Sequence, residues 1–120
     1  MKHITYKVLF VSFVLILLFE SLVQADIELP NVFYISPDKA KHIISAFMLM
    51  ILFTKAFTKI HFLIGFLFLF ISSIGVEFLQ YLIGNGRDFD IKDIYANAFG
   101  FFSGIIFIVV VEALSKKVKL

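Results

Sequence analysis

Apolar residues fall into four runs along this chain: Val8 to about Val23, Ile43 to about Phe57, Ile60 to Ile83, and Ile91 to Leu114. Each run is close to the ~20 residues that carry a helix across the hydrocarbon of a bilayer. The pattern predicts four membrane-spanning helices at about 7–24, 37–58, 60–83 and 91–114, within one domain covering 1–120. The second run looks short until its start is read. Ser36 offers an N-cap and Pro37 fits the first helical position, which gives that helix a polar first turn. Gly84 suits the C-terminal cap of the third helix, and Asn85-Gly86 suits a tight turn after it. Asp90, followed at capping-box-like spacing by Asp93, suits the start of the fourth. The expected fold is therefore all-α: an integral membrane four-helix bundle.

Composition agrees with lipid as the solvent. The chain has 120 residues and is 61% hydrophobic, more than a soluble domain of this length can cover with polar surface. There are 17 Phe and no Trp, so an interfacial aromatic belt falls to Tyr6, Tyr34, Tyr81 and Tyr95. The absence of cysteine excludes disulfides, thiolate metal sites and a cysteine nucleophile. The net charge of +2 comes with Lys at both ends. In a membrane protein that bears on topology, and no nucleic-acid partner is expected. Seven of the 11 Lys and Arg lie in the N-terminus, the second loop and the C-terminus; Lys39, Lys41, Arg87 and Lys92 lie in or beside the other two loops. The positive-inside rule then puts both termini in the cytoplasm. A rival reading treats residues 1–25 as a secretory signal, with a basic start, an apolar middle and cleavage after Ala25. That would leave three helices and an outward N-terminus.

The polar residues inside this apolar chain converge on one membrane face. Asp38, Lys39 and His42 lie in the first turns of the second helix, and Asp38 and His42 share a face at four-residue spacing. Glu77 and Gln80 lie in the last two turns of the third. Arg87 is in the outer loop. Asp93 and Asn97 open the fourth helix, and Gly100 and Gly104 continue their stripe as small residues that admit a neighbouring helix. The opposite side, Phe99, Phe102 and Ile106, suits lipid. Glu77 stands out, roughly 10 Å along its helix from the outer end at about 1.5 Å per residue. A carboxylate there needs a partner, water or a proton. Its candidate partners are His42, Lys39, Lys41 and Arg87.

The ordered set Asp38-Lys39-x-x-His42, Glu77-x-x-Gln80, Arg87, Asp93, Asn97 and Gly100-x-x-x-Gly104 resembles the VanZ-like family of small membrane proteins, typified by a protein linked to teicoplanin resistance. The resemblance covers residues from about 36 to 104. It implies a bacterial envelope protein with its shared residues on one face, and it carries no settled biochemical activity.

Three functions fit these residues. One is binding of a lipid-linked or cell-wall-related anionic molecule in envelope maintenance or antibiotic resistance, with Asp38, Lys39, Gln80, Arg87, Asp93 and Asn97 as ligand-binding residues and membrane lipids as the surrounding partners. The second is an enzyme acting on such a molecule, with Glu77 and His42 as acid and base. The third is a structural module working through a partner protein. No cofactor is expected, and no Walker, Rossmann or G-x-S-x-G string is present. His42 with Glu77 and Asp93 could in principle ligate a metal, but no local spacing such as H-x-x-x-H supports it and no metal site is expected.

Overall fold

The computed structural model describes residues 2–23, 35–84 and 89–118. They form four helices: α1 (Lys2–Leu22), α2 (Pro37–Ala56), α3 (Phe62–Ile83) and α4 (Ile91–Val118). No strand occurs among the described residues.

The ends follow local chemistry. Ser36 is extended and its hydroxyl accepts the Lys39 N–H at 3.2 Å, with Pro37 opening the helix behind it. α3 closes on Gly84, whose left-handed φ of 72° is a conformation that a side chain disfavours. At the start of α4 the Asp90 carboxylate accepts the Lys92 N–H at 2.9 Å. α1 and α2 stop two residues earlier than the apolar pattern predicts, at Leu22 and Ala56, and three other ends also differ. α1 begins at Lys2, because a polar turn can be helical without adding to an apolar run. α3 begins at Phe62, capped by the imidazole of His61, which accepts the Leu63 N–H at 3.2 Å. α4 continues past Leu114 to Val118, where Lys116 and Lys117 complement the helix dipole.

α1, α3 and α4 are long and apolar enough to cross a membrane. α2 is not, because Asp38, Lys39 and Lys41 fall in its first turns and Lys55 in its last. Yet α2 is the centre of the bundle. It contacts each of the other helices and packs most extensively against α4, whereas α1 and α4 do not meet and α1 meets α3 only thinly. Ala46, Met50, Phe53 and Ala56 of α2 are buried in a core with Phe10, Leu69 and Phe101. Phe10 stands edge-on to both Phe53 and Phe57, at 5.7 Å in each case.

α2 and α4 run parallel and unusually close. A Cβ at Gly100 would lie 2.3 Å from the Ile43 carbonyl oxygen and 2.7 Å from the Ala46 Cβ; one at Gly104 would lie 2.8 Å from the Met50 Cβ. The two glycines are thus where the backbones meet, as small residues on paired helices allow. Phe99, Phe102 and Ile106 face outward.

Candidate functional site: a polar cleft above an apolar cavity

The up-and-down course of the helices brings the end of α1, the start of α2, the end of α3 and the start of α4 together. Lys39 is the hub of the polar groups there. Its ammonium bonds to Asp90 at 2.6 Å and to Asp93, and lies 3.6 Å from Asp38. The bonded ammonium of Lys39, helped by the Lys92 N–H, holds the Asp90 carboxyl below the ordinary carboxylate range. His42 sits one turn deeper. Its Nδ1 donates to Asn97 Oδ1 at 3.1 Å, while its Nε2 faces Asp93 Oδ2 at 3.6 Å and Asp38 Oδ2 at 3.9 Å. Further out, Lys41 pairs with Glu20 of α1 at 3.4 Å.

Glu77 and Gln80 are buried on α3. Glu77 Oε1 accepts the backbone N–H of Asp90 at 3.3 Å, and the Gln80 amide donates to the Ser21 carbonyl at 2.7 Å. The first contact ties α3 to the approach to α4, the second ties it to the last turn of α1. Asp93 and Asn97 are buried as well. A polar group in such a place is stable only with a hydrogen-bond partner, and among the described residues no buried side-chain nitrogen or oxygen lacks one.

Beneath these groups lies a cavity of about 340 Å³ lined by all four helices, along the thin seam between α1 and α3. Its walls are apolar, with Phe10, Val14, Leu17, Leu69 and Phe101, and Ser45, Ser72 and Ser73 interrupt them. Its polar end is built from Lys41, His42, Glu77, Gln80 and Asn97. The α3 lining runs from Gln80 to Phe68, about 18 Å at about 1.5 Å per residue. The cavity is therefore long, narrow and graded from charged to oily.

The residues read from the sequence as one site occupy two layers. Asp38, Lys39, Asp93 and His42 form the ion cluster, and His42, Glu77, Gln80 and Asn97 form the mouth of the cavity. Gly100 and Gly104 lie below, against α2. Arg87 lies outside the described residues. Several partnerships differ from expectation. Lys39 binds carboxylates of its own chain, so its ammonium is already neutralised. Among the described contacts Glu77 takes a backbone amide rather than a basic side chain. The Asp93 side chain turns to α2 instead of folding back to cap α4. Ser73, one turn deeper than Glu77 on the same face by helical spacing, does line the cavity; the sequence reading missed the Ser21 carbonyl, Ser45 and Ser72 of the cavity wall and the Lys41–Glu20 pair. Backbone acceptors carry no signal in a residue string; the serines, at Ser45 and Ser72, do, as hydroxyls inside apolar runs.

Comparison with protein-family models, with curated proteins and with solved structures finds no match to this chain.

Proposed function

We propose that this chain is a multi-pass protein of a bacterial cytoplasmic membrane that holds a lipid-linked anionic molecule, its head at the polar cleft and its chain in the cavity below. One observation carries the reading: a single elongated cavity passes from Lys41, His42 and Gln80 at one end to Phe10, Leu69 and Phe101 along its walls. An amphiphile matches that gradient, whereas a wholly polar solute would strand its surface against apolar walls. The head would meet donors from the side-chain amides of Gln80 and Asn97. It could also draw on Lys41, whose pairing with Glu20 is half exposed and worth little. The thin contact of α1 with α3 offers the chain a way in from the side.

The distribution of Lys and Arg supports placing both termini inside and the cleft outside. α2 would then cross the membrane as the central helix of the bundle, with its polar first turns against the other helices and Ile44 and Met48 turned to lipid. The resemblance to the VanZ-like family supports an envelope setting, with envelope maintenance or glycopeptide resistance as the process served. A second reading is catalytic, because Glu77 and His42 both line the cavity and could act as acid and base on a bound head group.

The test is mass spectrometry of lipids retained by protein purified in mild detergent. Wild type should retain a defined anionic amphiphile that Leu69→Trp, which fills the cavity, does not. If both proteins retain only bulk membrane lipids in membrane proportions, the proposal fails. Glu77→Gln separates the two readings: a binding protein keeps its ligand with altered affinity, while an enzyme accumulates an unprocessed one.

A further inference from the structure

The ion cluster has a composition that lipid binding does not explain. Three carboxylates, Asp38, Asp90 and Asp93, surround a single ammonium, that of Lys39. The formal charges of Asp38, Asp90, Asp93 and Lys39 sum to −2, with Lys92 acting on Asp90 from the edge of the group. Water is scarce around Asp93, whose side chain is only 11% exposed. Like charges gathered in such a place call for another cation.

The geometry of His42 shows where it would sit. Nδ1 is taken by Asn97, so the neutral ring presents the lone pair of Nε2 to the carboxylates. Its distances to them, 3.6 and 3.9 Å, are too long for hydrogen bonds. They are the spacing of atoms that share an ion, since two ligands each about 2.0–2.2 Å from one metal lie at most about 4.4 Å apart. One ligand atom from each of Asp38, His42 and Asp93 lies within 4.8 Å of the other two, so the exposed Asp38 side chain has only a few tenths of an ångström to move to complete the set. The supporting contacts also match. A metal-ligating histidine donates its other nitrogen to a fixed acceptor, here Asn97, and a ligating carboxylate is itself hydrogen-bonded, here Asp93 Oδ1 to Lys39.

We propose that His42 Nε2, Asp93 Oδ2 and Asp38 Oδ2 bind one divalent first-row transition-metal ion at the mouth of the cleft. The imidazole favours such an ion over magnesium or calcium, and two carboxylates balance its charge. Asp38, half exposed in the first turn of α2, faces the outside and gives the ion its entry. Lys39 opposes the ion by repulsion but leaves it a net negative site. The site stands on these three residues and their neighbours, and it does not depend on an amphiphile occupying the cavity.

The probe is Zn²⁺, titrated calorimetrically into chelator-treated, full-length protein in detergent and carrying no histidine tag. Wild type should bind one Zn²⁺ per chain, with Mg²⁺ in tenfold excess failing to displace it. Asp38→Asn should weaken binding at least tenfold, and His42→Ala should abolish it. Asn97→Ala, which frees the imidazole to turn, should weaken binding about 10- to 100-fold while leaving the stoichiometry at one. Asp38→Asn keeps the test decisive if His42→Ala misfolds, because Asp38 is exposed and its contacts are long. No Zn²⁺ bound by wild type, or the same affinity in folded Asp38→Asn as in wild type, overturns the proposal; the latter would move the ion to His3 or His61.

Discussion

The imidazole of His42 and the amide of Asn97 join α2 to α4 at 3.1 Å, one turn above the place where Gly100 touches the Ile43 carbonyl. The polar contact and the close backbone contact belong to the same helix pair, so each fixes the register of the other. Replacing Asn97 by Leu removes the acceptor and leaves a half-buried ring nitrogen without its partner. The expected loss is about 1 kcal/mol, in line with interhelical hydrogen bonds in lipid. Reversible unfolding in mixed detergent measures it.

Gly100→Ala tests the helix contact directly. The added methyl would lie 2.3 Å from a backbone oxygen that no rotamer change can move. α2 and α4 must separate, at an expected cost of about 1–3 kcal/mol. Phe102→Ala, on the outer face of the same helix, should change stability far less. The same unfolding assay run on both variants decides it, and equal effects would remove the special status of the glycine.

Orientation can be read chemically because the chain has no cysteine of its own. A single cysteine at Asn85 should react with a membrane-impermeant maleimide in intact cells. A single cysteine at Lys59 should react only after lysis. The reverse pattern would put the cleft in the cytoplasm.

Acid should loosen the top of the bundle. The folded protein holds the Asp90 carboxyl below its ordinary value of 3.8 through the Lys39 bond. The unfolded chain therefore takes up a proton first as pH falls, and stability falls with it. The Asp90 contribution is complete above the ordinary value and is lost as pH drops through the lowered one. Melting temperatures between pH 6 and pH 3 should decline less steeply for Asp90→Asn than for wild type, and parallel curves would show that Lys39 does not depend on Asp90.

Much of this arrangement is legible in the residue string because it is local. Ser36-Pro37 and Gly84 mark helix ends by what their own backbones do. The polar stripe of Asp93 and Asn97 continues into Gly100 and Gly104 by helical spacing alone. The pairings are a different matter. Lys39 meets Asp90 and Asp93 across 51 and 54 residues, and that depends on how far α2 slides along α4. Periodicity places all three at one face but does not say which carboxylate the ammonium takes. The same uncertainty hides the grouping of Asp38, His42 and Asp93, since two of the three share a helix and the third arrives from another. His61 caps α3 with a ring nitrogen, an uncommon cap that sequence rules do not look for.

The central place of α2 bears on how the protein is made. A ribosome delivers α2 well before α4, and in a bilayer α2 would arrive with Lys41 able to meet Glu20 of α1 but with Lys39 lacking Asp90 and Asp93. Charged residues raise the insertion cost of a helix, most of all at its centre and less toward its ends. α1 can shelter one side of α2 at once, through Phe10 on Phe53 and Phe57, but the partners of Lys39 from the far side come only with the last helix. Secure residence of α2 in the membrane thus waits on the synthesis of the final quarter of the chain, and a nascent protein stopped after α3 would present its least apolar helix to quality-control proteases.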